Sequence, residues 1–450
     1  MAESNTVKLV WAGKDTVNPG ISADYKLIDF EYVYPNFLNL GEEKEPVNTL
    51  IQGNNREVIS LLLNAGYKNK LDLIYIDPPY LSKSKYFSRI EVYSKGKKYV
   101  LSQEIFEDTW EQNLDNYLTH IYAVLSLMKE LLSDRGSIFV HLDWHASHYV
   151  KVILDEIFSP DNFINEIVWC YGGGSAGRRH FHRKHDTILW YSKGKDYIFN
   201  PQYRPYTEKT RQRGLTRVKG DKYKLNDDGA MMQDWWTDIN KILSPTAREN
   251  LKFPTQKPVE LLKRLVKTAS LPESIVGDFY AGSGTTIQAC EELGRKWIGC
   301  DLSPIALQTC MRRMIEGSFS PFKVQYLSGL ESRYSADNVI VIKKPEVIKK
   351  EDRNYLLKIE LENYIPDKKN KEKISFDVSF ASLINFWEID PDYNGKLFSS
   401  KVQIYRKRAV FDENINLSSF IDISDNKSGK IAIRIHDVFG DSATLIERIP

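Results

Sequence analysis

The chain has 450 residues, 42% of them hydrophobic and 27% charged, which is the composition of a globular protein and excludes a disordered one. Its formal net charge is only +2, so a surface that binds a polyanion must be local rather than spread over the molecule. The four cysteines form no C-x-x-C pair, and no apolar run approaches the roughly 20 residues of a membrane span. No signal-peptide pattern is visible at the start, and the sequence predicts a cytoplasmic protein with no membrane partner.

Apolar runs alternate with amphipathic segments along much of the chain, and this predicts an α/β fold with a doubly wound, mostly parallel sheet. A basic, glycine-rich insertion interrupts the alternation, and strand-like alternation near the end predicts a small β-rich domain. Residues 81–116 are polar, basic and rich in tyrosine, and we expect a mobile loop there. The predicted divisions are an N-terminal segment (1–46), a first half of the core (47–171), the insertion (172–250), a second half of the core (251–335) and the C-terminal domain (340–450).

The sequence LDLIYIDPPY, at residues 71–80, ends an apolar strand with an acid, two prolines and an aromatic ring. Proline donates no backbone hydrogen bond and forces its predecessor into an extended conformation, so Pro78 and Pro79 must end the strand in a rigid turn. Open α/β sheets bind ligands at the carboxyl ends of their strands. We therefore expect Asp77, the Pro78 carbonyl and the Tyr80 ring to face a ligand together, although such a turn taken alone is structural as often as functional.

A glycine loop, GDFYAGSGTTIQA at 277–289, follows a second apolar strand and opens a helix. Gly282 and Gly284 allow a ligand to approach the backbone, and the start of the helix offers unpaired N–H groups. The third glycine of a dinucleotide fingerprint would fall at Ile287, so that fingerprint is incomplete. Asp301 ends the next strand, where an acid can hold ribose hydroxyls. The pattern predicts an adenosine-containing ligand rather than a nicotinamide dinucleotide.

Three motifs, DPPY at 77–80, TQKP at 255–258 and FYAGSGTT at 279–286, resemble those of the prokaryotic DNA amino-methyltransferases. DPPY precedes the glycine loop, which is the order of the β class. Over nearly its whole length the chain is similar to adenine-specific enzymes akin to the modification (Mod) subunits of type III restriction systems, and this resemblance implies a Rossmann-like core. Further matching segments are LVWAGK (9–14), GSIFVHLD (136–143), HDTILWYSK (185–193) and VFGDSATLIERI near the end.

The resemblance implies methyl transfer from S-adenosyl-L-methionine to the exocyclic amine of a base that has left the duplex. Asp77 and the Pro78 carbonyl would accept the two N–H bonds of the amine and aim its lone pair. Pro79 would complete this catalytic turn, and Tyr80 would stack on the base. Transfer would then proceed in line, by proximity and orientation rather than by covalent catalysis.

The resemblance also assigns the cofactor contacts. The implied residues are Phe279, Gly282 and Gly284 at the methionine part, Asp301 at the ribose, Lys257 at the carboxylate, and Asn54, Asn55, Asp278, Thr285 and Thr286. The family usually has Gly-Asp-Asn where this chain has Gly53-Asn54-Asn55. We expect the missing acid to weaken cofactor contacts and to leave the catalytic turn untouched.

Residues 172–250 stand where the family carries its target-recognition segment, and a basic stretch follows a triple glycine there. A solvated charge run is the ordinary explanation, but beside a methyltransferase crevice we interpret the stretch as a phosphate-binding loop. The predicted DNA contacts are Arg178, Arg179, His182, Arg183, Arg211 and Arg213. The C-terminal domain is expected to help read bases or to bind a partner.

The segment HLDWHASH places His141, His145 and His148 at spacings that resemble those of metal ligands. The segment spans a strand end and a helix start and contains no cysteine. The resembling family needs no metal, so no metal site is predicted here.

The sequence thus predicts a site-specific DNA adenine-N6 methyltransferase of a restriction-modification or DNA-modification system, with S-adenosyl-L-methionine as cofactor and double-stranded DNA as partner. Cytosine-N4 methylation is an alternative, because the same turn can hold either amine. A catalytically idle, DNA-reading partner subunit is another: the complete turn and glycine loop argue against it, and Asn54 argues for it. The sequence leaves open whether the chain forms a homodimer or joins a restriction subunit.

Overall fold

The computed structural model describes residues 7–17, 25–35, 37, 45–110, 113–173, 179–214, 225–244, 247, 249–330, 337–349, 355–374, 377–406, 411–423 and 428–449. Within these ranges no helix has the length and apolar character that a membrane crossing requires. The helices are α1 (Asn55–Leu62), α2 (Leu114–Leu131), α3 (Ser147–Phe158), α4 (Glu208–Gly214), α5 (Val259–Ala269), α6 (Thr285–Glu292), α7 (Pro304–Glu316), α8 (Lys368–Lys373) and α9 (Phe380–Leu383).

The strands fall into one large sheet and several smaller ones. In chain order they are β1 (Leu27–Val33), β2 (Asn48–Gln52), β3 (Leu71–Ile76), β4 (Lys85–Ser94), β5 (Lys97–Glu107), β6 (Leu132–Leu142), β7 (Phe163–Cys170), β8 (His185–Ser192), β9 (Tyr203–Arg204), β10 (Ala230–Met231), β11 (Trp235–Trp236), β12 (Ile275–Asp278), β13 (Lys296–Asp301), β14 (Phe322–Leu327), β15 (Val339–Ile342), β16 (Glu346–Lys349), β17 (Tyr355–Ile365), β18 (Ile384–Asp390), β19 (Phe398–Ser400), β20 (Val402–Tyr405), β21 (Ser418–Asp422), β22 (Lys430–Asp437) and β23 (Ser442–Arg448).

The large sheet has the order β11-β7-β8-β6-β3-β12-β13-β2-β14-β1-β19 in the described chain. Its centre, from β6 to β14, is parallel, and the antiparallel strands β8 and β1 flank it. Apolar side chains of α1, α2 and α3 pack in one hydrophobic core, and those of α5, α6 and α7 pack in a second one. Each helix turns an apolar stripe inward, as Leu261, Leu265 and Ala269 do on α5. The predicted Rossmann-like, doubly wound core is confirmed.

Strands β3 and β12 lie side by side, with Leu73 opposite Val276 and Ile74 opposite Gly277. The chain leaves β3 toward α2, in the first core, and leaves β12 toward α6, in the second. Neighbouring parallel strands that continue to opposite faces leave a crevice between their carboxyl ends. The DPPY turn and the glycine loop therefore meet at this crevice.

Residues 81–116 do not form the expected loop, because most of them build a long hairpin. Strands β4 and β5 pair antiparallel from Lys85 opposite Glu107 to Ser94 opposite Lys97. Ile90 and Val92 on β4 are buried against the C-terminal part of the chain. The hairpin is stabilised by packing on the C-terminal part of the chain. The polar composition of residues 81–116 alone gives no indication of that contact, and it therefore predicted a loop.

The predicted β-rich C-terminal part is confirmed, and it packs directly on the core. It contains an antiparallel sheet of order β20-β18-β22-β23 and a second group in which β15, β16 and β21 all pair with β17. Strand β19 extends the large sheet by pairing parallel with β1. Phe386 of β18 also lies within the second hydrophobic core. The C-terminal part and the core therefore share a sheet and a hydrophobic core.

Candidate active site

A cavity of about 570 Å³ lies at the carboxyl ends of β3 and β12, a volume typical of a site for one small organic ligand. The sequence-predicted residues that line it are Asn54, Asn55, Asp77, Pro78, Pro79, Tyr80, Lys257, Asp278, Phe279, Gly282, Thr285, Thr286 and Asp301. The structure thus brings the two halves of the predicted site together. Gly284 is not part of the lining.

The Asp77 carboxylate is held by two donors inside this cavity. The Tyr80 hydroxyl donates to Oδ1, and the Lys257 ammonium donates to Oδ2. Burial, and then the neighbouring Asp77, raises the pKa of Tyr80 well above its ordinary value, so its hydroxyl stays protonated and remains a donor. The side chains of Lys257 and Asp77 are only 11% and 16% exposed, so the pair is largely shielded from solvent. Lys257, predicted at the cofactor carboxylate, therefore contacts Asp77, the predicted catalytic acid.

Asp108, which the sequence analysis did not single out, anchors the chain at the end of the DPPY turn and just after it. Its side chain is 1% exposed, and Oδ2 accepts the N–H groups of Tyr80 (3.1 Å) and Ser82 (2.7 Å). Oδ1 accepts the N–H of Leu81 (2.9 Å) and the indole N–H of Trp110 (2.8 Å). One carboxylate thus satisfies four donors and fixes the backbone that carries Tyr80.

The segment anchored by Asp108 has a strained backbone. Leu81, Lys83 and Trp110 are non-glycine residues with positive φ angles of 64°, 56° and 47°. Such conformations are uncommon for L-residues and persist only where the surrounding contacts impose them. The four bonds to Asp108 supply such contacts at the rim of the cavity.

The hairpin connects this anchor to the C-terminal part. Asp108 directly follows β5, and in the hairpin Gln103 donates through Nε2 to the Phe439 carbonyl (2.8 Å). The Ser382 hydroxyl donates to the Tyr93 carbonyl at a distance of 2.8 Å. The backbone after the DPPY turn is therefore connected through the hairpin to the C-terminal part, by contacts that span 336 and 289 residues of the sequence.

A series of hydrogen-bonded side chains, most of them buried, lies next to the DPPY turn. The Tyr75 hydroxyl is 2.9 Å from His141 Nδ1, and His141 Nε2 is 3.3 Å from Asp186 Oδ2. The Tyr171 hydroxyl donates to Asp186 Oδ1 at 2.8 Å. Burial alone would raise the pKa of Asp186, but the contacts with His141 and other donors lower it. The His141 ring also lies nearly parallel to the Tyr80 ring, with ring centroids 6.4 Å apart. These hydrogen-bonded side chains therefore pack against Tyr80 of the cavity lining.

Backbone geometry and one acid shape the glycine loop. Gly282 and Gly284 have φ angles of 50° and 75°, which favour glycine. Asp301, at the end of β13, accepts the Gly282 N–H at 2.8 Å and the Ser303 N–H at 2.8 Å. A Cβ atom on Gly284 would lie 2.8 Å from the Cys310 sulfur, so close packing behind the loop accounts for this glycine.

Two further groups hold the cofactor half in place. Asn55 donates through Nδ2 to the Phe279 carbonyl (3.4 Å), whereas the side chain of Asn54 accepts the Arg56 N–H (3.0 Å) and caps α1. Arg313, which the sequence analysis missed, donates to the Ser283 carbonyl at 2.9 Å. It is 6% exposed, and burial lowers its pKa to about 10. An arginine inside an amphipathic helix gave no local signal of this role.

The predicted DNA contacts are not among the cavity-lining residues. Arg179 and His182 are exposed, and the Arg183 guanidinium stacks 3.8 Å above the Trp144 ring. Arg211 and Arg213 lie in α4, where the structure places Arg211 at the surface, and the side chain of Arg213 is outside the described residues. Arg178 also lies outside the described residues.

The histidines of HLDWHASH serve local contacts. His141 belongs to the series of hydrogen-bonded side chains described above, and His145 Nδ1 lies 2.7 Å from Asp143 Oδ2. The His145 ring also packs on Trp144, with ring centroids 3.7 Å apart. None of these contacts brings the three histidines to a common point.

Comparison with known proteins identifies relatives among DNA methyltransferases. The type II methyltransferase M.EcaI of Enterobacter cloacae is 28% identical over 332 residues, which cover 60% of this chain and 70% of that protein. The Mod subunit of the type III restriction-modification enzyme EcoPI of Escherichia phage P1 is 25% identical over 373 residues, 58% of this chain and 57% of that subunit. The chain thus spans little more than half the length of that Mod subunit.

A solved structure and a family profile also match this chain. The structure of a putative DNA modification methylase from Thermus thermophilus, complexed with S-adenosyl-L-methionine, is 19% identical with a TM-score of 0.39; the match covers 63% of this chain and 98% of that one. The profile of the N6_N4_Mtase family, described as DNA methylase, matches residues 71–312. This match spans more than half of the chain and includes both halves of the cavity, so the chain belongs to the N6_N4_Mtase family of DNA methylases, and the predicted DNA methyltransferase class is confirmed.

Proposed function

We propose that this protein is an adenine-N6 methyltransferase that acts on a base flipped out of duplex DNA, with S-adenosyl-L-methionine as the methyl donor. The observation that carries the proposal is the single cavity that joins the DPPY turn to the glycine loop. A second copy of the chain or a restriction subunit is the proposed assembly partner. Adenine is proposed over cytosine because the chain resembles adenine-specific enzymes akin to Mod subunits.

The cavity residues fit S-adenosyl-L-methionine. Asp301 ends the strand beside the glycine loop, where a carboxylate can bind ribose hydroxyls. Asp278 lines the same cavity, and burial raises its pKa to about 7, although the Thr286 side chain and the Tyr280 N–H oppose this shift. Its ionised form would therefore be stabilised by a positive charge placed nearby, such as that of a sulfonium or ammonium group.

The chemistry of the chain's own residues is positioning. An exocyclic amine is a weak nucleophile, since its lone pair is delocalised into the base. Asp77 and the Pro78 carbonyl accept its two N–H bonds and direct the lone pair toward the glycine loop. S-adenosyl-L-methionine supplies an electrophilic methyl group, and Tyr80 stacks on the base.

The contacts of Asp77 give this arrangement its preorganisation. Because Tyr80 and Lys257 hold one carboxylate oxygen each, the carboxylate is oriented before a base arrives. The incoming amine donates to lone pairs that these two residues leave available, or it displaces one of them. Lys257 is therefore proposed to orient Asp77 in addition to its predicted contact with the cofactor.

Gly284→Val should weaken S-adenosyl-L-methionine binding and lower the melting temperature. The φ angle of 75° and the 2.8 Å approach to Cys310 leave no room for a β-branched side chain, so the loop must shift. Gly294→Val is the matched comparison, because Gly294 has a similar φ angle of 67° but does not line the cavity, and a Cβ there meets no atom within 4 Å. Calorimetric titration should show a larger loss of affinity for the Gly284 variant; unchanged affinity in a folded Gly284→Val protein would contradict the assignment of the loop.

Replacing Arg178, Arg179 and Arg183 together by glutamine should weaken binding to all duplexes alike. Phosphate contacts carry affinity without sequence information, and each contributes about 0.9 to the slope of log K against log salt. The slope should therefore fall by up to about 3 in fluorescence titrations. The charge-matched control replaces Lys68, Lys70 and Lys296 by glutamine. These lysines lie at the amino ends of β3 and β13, whereas the cavity lies at the carboxyl ends. A loss confined to the cognate duplex would contradict a phosphate-binding role.

The base and the recognised site can be read directly from modified DNA. The protein is expressed in a bacterium that lacks its own adenine methylation, and the genomic DNA is examined by long-read sequencing. The proposal predicts N6-methyladenine at one recurring sequence, and none after expression of an Asp77→Ala variant. Recurring N4-methylcytosine would favour the alternative base, and unmodified DNA with an intact, cofactor-binding protein would favour an idle subunit.

A further inference from the structure

Glu31, Glu388 and His436 meet in a buried cluster outside the active site. They come from β1, β18 and β22, at the junction between the edge of the large sheet and the C-terminal part. Their side chains are 0%, 0% and 1% exposed. One ligand atom from each residue lies within 4.8 Å of those of the other two.

The cluster contains four of the nine buried side-chain nitrogen and oxygen atoms that have no hydrogen-bond partner among the described residues. These are Glu31 Oε1, Glu388 Oε1, Glu388 Oε2 and His436 Nε2. Buried polar atoms in folded proteins nearly always have hydrogen-bond partners, whereas here Glu388 Oε1 and His436 Nε2 only face each other without a hydrogen bond, and Glu31 Oε1 and Glu388 Oε2 also make none within the described chain. These four atoms at one point indicate an occupant that binds to oxygen and nitrogen. His436 Nε2 is 3.2 Å from Glu388 Oε1, and two ligands of one tetrahedral zinc ion, with bonds of about 2.1 Å, lie about 3.4 Å apart.

We propose that Glu31, Glu388 and His436 bind a structural divalent transition-metal ion, Zn²⁺ in the first instance. Imidazole and carboxylate are common zinc ligands, and a bidentate Glu388 would complete a set of four donor atoms. The ion would connect β1 to β18 and β22. It would act on stability rather than on methyl transfer, because the cluster contributes no residue to the active-site cavity.

The surroundings of the three ligands support this assignment. The Ser442 hydroxyl lies 2.8 Å from His436 Nδ1, the kind of second contact that orients a metal-bound imidazole. A β-bulge between Asp29 and Glu31 interrupts the pairing of β1 with β14, and bulges commonly redirect a side chain. Arg434 binds Glu31 Oε2 at 2.5 Å and leaves Oε1 free.

Charge also favours a bound cation. Glu31 and Glu388 are two fully buried carboxylates in one cluster, and of the two Arg434 bonds only to Glu31, so a metal ion would offset the cost of keeping both ionised. A proton held by the cluster is the competing explanation, and metal analysis distinguishes the two.

The first test uses the full-length protein, purified without a histidine tag or chelator, and measures its metal content by mass spectrometry. We expect close to one equivalent of zinc per chain. Removal by a strong chelator should lower the melting temperature by several degrees, and added Zn²⁺ should restore it. Substitution by Co²⁺ should give the intense visible absorption of a tetrahedral site. Absence of stoichiometric metal after incubation with Zn²⁺, or a melting temperature unaffected by chelation, would overturn the proposal.

Variants assign the metal to these residues. Glu388→Gln and His436→Gln should each lose the bound metal and the response to chelator. Asp437→Asn is the control, since Asp437 is a buried acid on the same strand whose oxygens accept the Tyr364 hydroxyl and the Phe439 N–H. It should keep the metal even if it is less stable. Metal retention by both ligand variants would place the ion elsewhere, and the measurements on the unmodified protein decide the proposal if either variant fails to fold.

Discussion

Replacing Asp77 by alanine should abolish methyl transfer while leaving S-adenosyl-L-methionine binding little changed. The carboxylate lines the cavity at the DPPY turn, where the proposal places the base, and it accepts hydrogen bonds from Tyr80 and Lys257. Loss of one preorganised electrostatic contact in an active site typically costs about 10²- to 10³-fold in kcat. Single-turnover kinetics and calorimetric titration of the same preparation would measure the two effects separately.

Asp72→Asn provides the matched control for Asp77. Asp72 lies on the same strand, but the hydroxyls of Ser133 and Ser274 bind it at 2.8 and 2.6 Å, away from the cavity lining. Its replacement should leave turnover near normal. If Asp77→Ala also kept near-normal turnover, the assignment of the catalytic turn would be wrong.

Asp108→Asn should lower kcat by roughly 10- to 100-fold, with a much smaller effect on cofactor affinity. The amide group of asparagine would face two N–H donors where the carboxylate now accepts them. Hydrogen bonds to a charged group contribute about 1.5–3 kcal/mol each, so the strained segment after Tyr80 should lose its fixed conformation. Steady-state kinetics should show the change in kcat rather than in the affinity for S-adenosyl-L-methionine.

The control for Asp108 is Glu91→Gln in the same hairpin. Glu91 forms a partly exposed ion pair with Lys98 at 2.6 Å, and such pairs contribute little. Glu91→Gln should therefore behave like the unmodified protein. Equal losses in the two variants, or unchanged kcat in Asp108→Asn, would show that Asp108 does not position the catalytic turn.

Local patterns explain why much of the fold and half of the site could be predicted. The prolines at 78 and 79 must end a strand, and the glycine loop must join a strand to a helix. Both features are encoded within about ten residues, whereas the alternation does not say which strands are neighbours, and the meeting of the two motifs in one site was implied by the family resemblance. The cavity was therefore predictable in position.

Long-range contacts explain what could not be predicted. Asp108 is 28 residues from Tyr80, and its role depends on the hairpin that returns it to the turn. The buried face of β4 carries Ser88 and Ser94 as well as Ile90 and Val92. Because polar and apolar residues mix on that face, the sequence shows no clear alternation of apolar and polar residues that would predict a strand. The buried cluster at β1, β18 and β22 joins residues near both ends of the sequence. No spacing pattern indicates such a site, because only the folded sheets bring its ligands together.

The most direct test of the proposed function follows an isotope-labelled methyl group. The purified protein is incubated with duplex DNA containing its recognised site and with S-adenosyl-L-methionine labelled in the methyl group, and the DNA is then digested to nucleosides for mass spectrometry. We predict that the label appears in N6-methyladenine, and that Asp77→Ala gives none. Label in N4-methylcytosine alone, or no label in DNA from a protein that binds the cofactor, would contradict the proposal.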